Sequence, residues 1–230
     1  MKFEKANRYD EFAYAQKFAA KSLIKNLKIY GLSYKNIYEI GCGTGILTKL
    51  ILNEFKFEKL TLNDIYKTDL MSSGFSYQIG DIRELEIPLN LDLIISASVF
   101  QWFDKDDELK KLINKIYDSI KRGGKFAFCM FVSGTLSELS SFTNQSLNYK
   151  SEQDILALLE KFDVLHIKTN KKSLKFNSLK ELLNHLKQTG VNNLNGKFKL
   201  TKNSLKNLQD HFDSNFILTY NFIEVLCKKA

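Results

Sequence analysis

The chain has 230 residues, 44% of them apolar and 13% aromatic, which is enough for one substantial hydrophobic core, so we expect residues 1–230 to form a single domain. No run of about eighteen apolar residues occurs, and charge interrupts the first five positions, which excludes a membrane-spanning helix or secretory signal and predicts a cytoplasmic protein. The net charge of +8 rests mainly on scattered lysines, with arginine only at Arg8, Arg83 and Arg122, so we expect no nucleic-acid partner.

The predicted elements begin with helix. From Phe3 to Leu27 the apolar side chains recur at roughly helical intervals, so one or two helices precede the first strand. That strand, 37–40, runs into a turn that contains Gly41, Gly43 and Gly45 and is followed by another helix. Glycine accepts positive φ and has no Cβ, so such a turn brings backbone N–H groups close to a ligand. The pattern is typical of a nucleotide-type cofactor loop.

The spacing of the glycines and the acid before them narrow the cofactor class. Dinucleotide folds use Gly-x-Gly-x-x-Gly around a pyrophosphate. Here the glycines alternate with other residues, and Glu39 precedes the first of them by two positions. A carboxylate suits a cationic ligand and is unfavourable beside a pyrophosphate. The turn therefore favours a positively charged cofactor over a dinucleotide.

The chain then alternates between strands and helices as far as residue 131. Further strands are predicted at 59–63, 76–79, 92–96 and 125–131, with a helix over about 106–120. Such alternation predicts a mostly parallel sheet that is covered by helices on both faces and binds ligands at the carboxyl ends of its strands. Asp64 ends the second strand, where a carboxylate can accept both ribose hydroxyls, and Asp81 ends the third. Asp is also common in ordinary turns.

The pattern changes after residue 131. An amphipathic helix over 152–162 is predicted to be capped by Ser151, and a long alternating strand follows over 163–176. Two more helices are predicted over 178–186 and 204–212, before a last strand over 216–228. The helices between the last two strands have no evident role in the sheet, so we assign them to a substrate-facing cap.

The cysteines and histidines indicate neither a disulfide nor a metal site. Cys42, Cys129 and Cys227 are far apart, odd in number and placed in apolar or glycine-rich surroundings. The three histidines lack the spacing of metal ligands. We therefore expect no metal ion.

The segment from Glu39 to Gly45 resembles motif I of the class I S-adenosylmethionine-dependent methyltransferases. The resemblance implies an α/β Rossmann-like fold with a mostly parallel seven-stranded sheet, an antiparallel last strand, helices on both faces and a small helical cap. It implies S-adenosyl-L-methionine as the cofactor and S-adenosyl-L-homocysteine as its product. It further divides the chain into an N-terminal helical lid (1–30), a cofactor-binding core (31–131), substrate-side helices with the sixth strand (132–215) and a closing strand (216–230).

The resemblance to one methyltransferase family extends over nearly the whole chain. The shared positions in the N-terminal helix are Phe3, Ala6, Tyr9, Ala13 and Gln16. The most selective segments are Gln101-Trp102-Phe103, the Lys-x-Thr-Gly that begins at Lys187, and Leu218-Thr219-Tyr220. Together they resemble the malonyl-acyl carrier protein O-methyltransferases of biotin synthesis. That resemblance implies methylation of the free carboxylate of a malonyl thioester, carried on acyl carrier protein or on coenzyme A.

The resemblance also implies roles for individual residues. The cofactor would contact residues at the ends of the first four strands: Glu39, Gly41, Cys42, Gly43, Gly45, Asp64, Ile65, Asp81, Ile82, Ser96 and Ala97. Asp64 would bind the ribose and Asp81 the adenine amino group. The candidate catalytic residues are Gln101, Trp102, Tyr9 and Arg8, with Arg8 as a bidentate anchor for the malonyl carboxylate. A structural position for Trp102 in the core and a solvated position for Arg8 are the alternatives.

Other functions stay open from the sequence. The cofactor half would serve a class I methyltransferase that acts on another small molecule or on RNA. It would also serve a cofactor-binding protein without activity, and an intact glycine turn followed by both acids argues against that reading. Lysines of the cap, including Lys187, are candidates for contact with an acidic carrier protein. We expect a monomer that binds neither membranes nor nucleic acid.

Overall fold

Seven strands form one mixed sheet in the order β3-β2-β1-β4-β5-β7-β6. The strands are β1 (Ser33–Ile40), β2 (Lys56–Asp64), β3 (Ser76–Ile79), β4 (Leu91–Ala97), β5 (Ile120–Phe131), β6 (Asp163–Lys175) and β7 (Ile217–Lys228). Strands β1 to β5 pair in parallel with their neighbours, and β7 runs antiparallel to both β5 and β6. The predicted mostly parallel sheet with an antiparallel last strand is confirmed.

The computed structural model describes residues 8–68, 70, 74–103, 105–191 and 201–230. The predicted helical start at Phe3, and Phe3 and Ala6 of the family resemblance, lie outside the described residues. The α-helices are α1 (Tyr9–Phe12), α2 (Tyr14–Leu27), α3 (Ile46–Glu54), α4 (Asp106–Ser119), α5 (Ser137–Thr143), α6 (Glu152–Leu158), α7 (Leu179–Gln188) and α8 (Lys202–Phe212). No helix within the described residues is long and apolar enough to cross a membrane.

Helices cover both faces of the sheet, as the alternating pattern predicts. One cluster of buried apolar side chains joins α2, α3, α7 and α8 to one face of the sheet, through residues such as Leu23, Ile51 and Leu182. A second cluster joins α4 and α6 to the other face, through residues such as Ile116 and Ile155. Strand β4, and β5 from Phe126 onward, are buried on both faces, which explains their nearly continuous apolar sequences.

One helix prediction needs correction, and one helix was missed. Helix α6 begins at the predicted Ser151 cap, whose hydroxyl accepts from the Asp154 N–H at 3.1 Å, but it ends at Leu158 instead of residue 162. The chain leaves the helix so that the Phe162 ring can pack against Tyr117 and Phe126, with ring centroids 5.0 and 5.8 Å away. Helix α5 was not predicted, because its serine-rich sequence has no apolar period.

A buried carboxylate fixes α2 against the sheet. Glu224 of β7 is fully buried and accepts hydrogen bonds from Ser22 Oγ at 2.6 Å and Asn26 Nδ2 at 2.5 Å, both on α2. Asn170 Nδ2 of β6 donates to the same carboxylate at 2.5 Å. These three donors satisfy the buried charge. They hold α2 beside the last two strands.

Candidate active site

In the glycine turn, Gly41 and Gly45 pack against other side chains, whereas Gly43 borders an open space, which we call the cradle. Gly41, Gly43 and Gly45 have φ values of 70°, 51° and 88°. A Cβ at Gly41 would overlap the Val99 side chain, and one at Gly45 would lie 2.9 Å from Leu70 Cδ2. A Cβ at Gly43 would meet nothing within 4 Å. Gly43 therefore faces space that the described protein atoms leave open, at the carboxyl end of β1 where a ligand is expected.

Asp64, at the end of the neighbouring strand β2, accepts a hydrogen bond from the glycine turn. Its Oδ2 accepts a hydrogen bond from the Gly43 N–H at 2.8 Å, and its Oδ1 accepts from the Tyr66 N–H at 3.1 Å. The adjacent Ile65 is 55% exposed. The cofactor-binding roles of Asp64 and Ile65 stay predictions.

Glu39 lies fully buried beneath the turn. Thr48 Oγ1 donates to its Oε2 at 2.8 Å, whereas its Oε1 has no hydrogen-bond partner among the described residues. The pKa of Glu39 is raised to about 8, chiefly by burial and to a smaller extent by the charge of Asp64, while the hydrogen bond from Thr48 opposes the shift. An unsatisfied carboxylate oxygen near a second carboxylate favours a cationic ligand group. The residues present thus fit a cofactor that carries a positive charge.

Asp81 is held by an arginine that follows it in sequence. Arg83 donates to the Asp81 carboxylate from its backbone N–H at 2.9 Å and from its guanidinium at 2.6 Å, and it also pairs with Glu108 at 2.8 Å. The Arg83 hydrogen bonds hold the pKa of Asp81 below its usual range. The carboxylate stays ionised at the end of β3, beside the buried Ile82. The adenine-binding role of Asp81 and Ile82 stays a prediction.

Three further predicted cofactor contacts lie around the ends of β1 and β4. Ser96 is fully buried, and its hydroxyl donates to the Ile40 carbonyl at 3.0 Å, so it ties β4 to β1. Ala97 is half-buried and ends β4. Cys42 is buried, and burial raises the pKa of its thiol to about 12, so the thiol stays protonated. Cofactor contacts at these positions stay predictions.

A cavity, distinct from the open space at Gly43, lies next to these strand ends. It is lined by Tyr9, Gln16, Ser98, Gln101, Trp102, Phe131, Leu136, Leu147, Tyr149, Thr189, Val191 and Tyr220. Three of the four candidate catalytic residues, Tyr9, Gln101 and Trp102, are therefore brought together. The fourth, Arg8, does not line the cavity, because its exposed guanidinium donates to Glu11 Oε2 at 2.8 Å. The anchoring role of Arg8 stays a prediction.

Several lining residues were missed by the sequence reasoning. Thr189 and Tyr220 belong to segments that carry the family resemblance, so that signal could have placed them in the site. Tyr149 gave no signal of its own, because a single tyrosine between polar residues has no distinctive spacing. Three of the polar lining residues are nevertheless tyrosines: Tyr9, Tyr149 and Tyr220.

The cavity is lined by neutral hydrogen-bonding groups. Burial raises the pKa of Tyr9, Tyr149 and Tyr220 well above that of free tyrosine, so all three hydroxyls keep their protons. Gln101 Nε2 donates to the Ser98 carbonyl at 2.7 Å. None of the described lining residues is a lysine, an arginine or a histidine. The arrangement suits a polar substrate that is oriented by hydroxyl and amide groups.

Comparison with known proteins fits this geometry. A family model described as a methyltransferase domain matches residues 38–128. A malonyl-[acyl-carrier protein] O-methyltransferase from Calditerrivibrio nitroreducens is 34% identical over 221 residues, which covers 93% of this chain and 88% of that protein. A protein of the same name from Chlorobium phaeovibrioides is 32% identical over 202 residues, covering 82% and 76% of the two chains.

The chain belongs to the malonyl-[acyl-carrier protein] O-methyltransferase family. The YcgJ protein from Bacillus subtilis shares its fold with a TM-score of 0.66 at 12% identity, over 92% of this chain and 98% of that one. The N-methyltransferase NodS from Bradyrhizobium japonicum, in complex with S-adenosyl-L-homocysteine, has a TM-score of 0.54 at 13% identity, over 91% and 85%. The predicted Rossmann-like methyltransferase fold is thereby confirmed.

The N-terminal segment of this methyltransferase is attached to the glycine turn. The Asp10 carboxylate of α1 accepts a hydrogen bond from Thr44 Oγ1 in the turn, and it pairs with Lys49 of α3 at 3.6 Å. Lys17 of α2 donates to the Asp10 carbonyl. Asp10 therefore joins the segment that carries Tyr9 and Gln16 to the cofactor loop.

Replacing Asp10 by alanine should loosen this attachment without unfolding the protein. A hydrogen bond and an exposed ion pair are lost, so we expect amide hydrogen exchange over residues 8–17 to rise about five- to tenfold, with little change in the unfolding midpoint. Hydrogen-exchange mass spectrometry measures the exchange over residues 8–17, and urea unfolding measures the midpoint. Glu11→Ala, which removes the neighbouring carboxylate that pairs with Arg8, is the matched control. Equal exchange in both variants would contradict the attachment.

Proposed function

We propose that this methyltransferase transfers a methyl group from S-adenosyl-L-methionine to the free carboxylate of a malonyl thioester, carried on acyl carrier protein or coenzyme A, and that the methyl ester enters biotin synthesis. One observation carries the proposal. Segments that are selective for the family, although far apart in sequence, meet at one cavity through Gln101, Trp102, Thr189 and Tyr220. Ser98 of the cavity lining directly follows β4, and the side chain of the next residue, Val99, lies against Gly41 of the glycine turn.

The residues around the turn have the chemistry to hold the cofactor. When bound, S-adenosyl-L-methionine supplies an electrophilic methyl group on a sulfonium. Gly43 leaves the cradle open, and the unsatisfied Oε1 of Glu39 would accept from a cationic amino group. Asp64 would accept from the ribose hydroxyls, and Asp81 would do so from the adenine amino group.

The proposed reaction needs no proton acceptor from the protein. A carboxylate with a pKa near 4 is already ionised at neutral pH. The task of the cavity residues is then to orient the substrate carboxylate and to exclude water, and orientation alone supplies about 7–11 kcal/mol in favourable cases. Tyr9, Gln101 and Trp102 line the cavity and would take this role. Positioning groups account for the absence of a general base from the described lining.

Arg8 provides a test with two opposite outcomes. As a malonyl anchor, its guanidinium must leave Glu11, so Arg8→Ala should raise the KM for the malonyl thioester about tenfold, whereas Glu11→Ala should lower it. Steady-state kinetics at saturating cofactor measures both. Unchanged KM in Arg8→Ala would end this role and leave substrate binding to the neutral groups.

The same proposal covers the partner and the organisation of the chain. We propose that an acidic carrier protein contacts lysines of the cap such as the exposed Lys187, so that rising salt should slow methylation of carrier-bound malonyl more than of malonyl-coenzyme A.

We further propose a cytoplasmic monomer in which residues 1–30 act as a lid, 31–131 as the cofactor-binding core, 132–215 as the substrate side and 216–230 as the closing strand.

A transfer assay with radiolabelled S-adenosyl-L-methionine tests the function. Malonyl-acyl carrier protein, malonyl-coenzyme A and bulk transfer RNA are offered in parallel, with acetyl-acyl carrier protein as the control that lacks a free carboxylate. We expect label on the malonyl thioesters alone, and their relative rates name the carrier. Label on RNA, or on none of the four, would overturn the proposed substrate.

A further inference from the structure

Two neighbouring elements carry most of the net positive charge of the chain. Helix α2 contains three lysines and no acidic residue, whereas strand β6 contains four lysines and one acidic residue, Asp163. Together they contribute +6 to a chain whose net charge is +8. These lysines are far apart in the sequence, and the fold brings the two groups together.

Helix α2 lies along β6, which is the last strand at one edge of the sheet. The buried Glu224 carboxylate accepts hydrogen bonds from side chains of both elements. Lys172 Nζ of β6 lies 5.0 Å from the centroid of the Phe18 ring of α2. Just beyond the end of α2, the Tyr30 hydroxyl donates to the Leu165 carbonyl of β6 at 3.0 Å. The helix therefore follows the strand over most of its length.

Four of the lysines project on this side without an acidic partner. Lys168 pairs in register with Glu224, and side chains of paired residues lie on the same face of a sheet, so Lys168 and Lys172 both point toward α2. Lys21 and Lys25 are exposed on α2 itself. None of the four forms an ion pair with a carboxylate in the part of the chain that the structure describes. Their charge is available to a partner.

Two exposed aromatic side chains continue the row of lysines along α2. Tyr14 and Phe18 are 51% and 42% exposed. Residues 14, 18, 21 and 25 are spaced by four, three and four positions, which places them on one face of the helix. The Tyr14 ring stacks on the buried His185 ring at a centroid distance of 6.2 Å, so its orientation is fixed. Ordered aromatic side chains of this kind are enriched in protein–protein interfaces.

The opposite side of the same helix borders the cavity. Gln16 is buried and lines the cavity, whereas Tyr14 and Phe18, two residues to either side of it, point to the other side of α2. A helix is about 10–12 Å across with its side chains. A partner bound at the exposed side would therefore lie within about one helix diameter of the cavity.

We propose that this surface binds the acidic carrier protein that presents the malonyl thioester. The inference rests on the proposed function and names the docking surface for that partner. We call the surface the α2–β6 face, and it consists of Tyr14, Phe18, Lys21, Lys25, Lys168 and Lys172. The lysines supply charge complementarity to acidic side chains, which raises the association rate, and the two aromatic rings supply apolar contact area. Lys187, proposed above as a carrier contact, lies on α7, whose His185 contacts Tyr14 of this face.

Other anionic partners fit the α2–β6 face less well. The face contains no arginine, whose planar guanidinium suits the phosphates of a nucleic acid. Insertion into a membrane buries the apolar side of a helix by about 5–10 Å. Tyr14 and Phe18 are each packed on one side against the protein, because Phe18 also contacts Phe222 at a centroid distance of 5.8 Å. They therefore offer a flat contact area to a protein surface.

Binding of the full-length protein to malonyl-acyl carrier protein tests the surface without any reaction. The carrier bears a fluorescent label, and its anisotropy gives the dissociation constant. Lys21→Glu with Lys25→Glu should weaken binding about tenfold, and Phe18→Ser about fivefold. The matched control, Lys110→Glu with Lys161→Glu, makes the same change in net charge at exposed lysines beside the helices of the other sheet face, and it should bind as the wild type does.

Two outcomes of the binding experiment would overturn the inference. Equal weakening in both double variants would assign the effect to net charge alone. Anionic phosphatidylglycerol vesicles and bulk transfer RNA are tested in the same way. Tighter binding of either one than of the carrier, lost in the Lys21→Glu and Lys25→Glu variant, would assign the face to a membrane or to a nucleic acid.

Kinetics distinguishes docking from damage to the active site. Malonyl-N-acetylcysteamine presents the same malonyl thioester without a protein carrier. The Lys21→Glu and Lys25→Glu variant should raise the KM for malonyl-acyl carrier protein about tenfold, with unchanged kcat/KM for malonyl-N-acetylcysteamine and unchanged affinity for S-adenosyl-L-homocysteine. Equal losses with both thioesters would show that the change acts through the cavity, and would overturn the inference.

The outcomes separate the docking surface from the proposed function. A wild-type protein that binds the carrier through the α2–β6 face but labels no malonyl thioester refutes the proposed reaction and supports the surface. A wild-type protein that labels malonyl thioesters, combined with full carrier binding in the Lys21→Glu and Lys25→Glu variant, refutes only the surface. A wild-type protein that does not bind the carrier also refutes the surface.

Discussion

Replacing Gly43 by alanine should weaken cofactor binding about ten- to hundredfold, whereas the same change at Gly123 should leave it unaltered. Gly43 has a φ of 51°, and a Cβ added there meets no described protein atom within 4 Å. The methyl group would therefore enter the open cradle and occupy space proposed for the cofactor. The dissociation constant of S-adenosyl-L-homocysteine, measured by isothermal titration calorimetry, reports the loss directly.

Gly123 provides a close control because its backbone is similar. It has a φ of 75°, and its added Cβ would also meet nothing within 4 Å. Both substitutions strain the backbone by about 1–2 kcal/mol, so the free energies of unfolding of the unliganded variants should fall alike. Gly123 lies near the start of β5, and its N–H donates to the Lys229 carbonyl at 2.8 Å, away from the glycine turn. Equal losses of affinity in both variants would show that backbone strain, and not cradle volume, is responsible.

The cofactor side of the site could be predicted from sequence because its signals are local. Gly41 to Gly45 occupy consecutive positions between one strand and one helix, and Asp64 ends the next strand, which pairs with β1. In a parallel sheet the carboxyl ends of neighbouring strands lie at one edge, so the order of the elements alone brings these residues together. Spacing could not reveal that Ser96 uses its hydroxyl to bind the Ile40 carbonyl.

The substrate side could be predicted only in part. Tyr9, Gln101 and Tyr220 come from the first helix, the segment after β4 and the last strand, and no periodicity relates segments so distant in sequence. Tyr149 lies in an irregular segment between α5 and α6, where composition does not predict which side chains face the cavity. The bond between His185 and Tyr220 depends on how α7 packs against β7, which is a tertiary property. Family resemblance could identify the segments but not these contacts.

Glu39→Gln should stabilise the unliganded protein at alkaline pH and weaken cofactor binding there. The pKa of Glu39 is about 8 in the folded protein and about 4.5 when unfolded. Between these values the folded state holds a proton that the unfolded state has released, so the stability that it confers is complete below pH 4.5 and is lost as the pH rises to 8. The expected loss is on the order of 5 kcal/mol. Glutamine has no such proton, so this pH dependence should disappear.

Urea unfolding of the unliganded protein at several pH values between 5 and 9 measures the first effect. The difference in free energy of unfolding between Glu39→Gln and the wild type should grow with pH and level off above 8, since other titrating groups cancel in the comparison. Glu58→Gln, at an exposed carboxylate on β2 that pairs with Lys35 at 3.9 Å, should show no such trend. A difference that stays constant with pH would mean that Glu39 is already ionised in the folded state.

Cofactor binding should change in the opposite direction. A cationic group on the ligand stabilises the ionised form of Glu39, so binding releases its proton below pH 8, and the wild-type affinity should rise with pH until that proton is gone. Glu39→Gln cannot ionise, so its affinity should be about tenfold lower at pH 8 and should lack this rise. A substitution that stabilises the fold while lowering the affinity for the cofactor identifies a carboxylate whose role is to bind that cofactor. Equal affinity of both proteins at pH 8 would instead assign Glu39 to the support of the turn through Thr48.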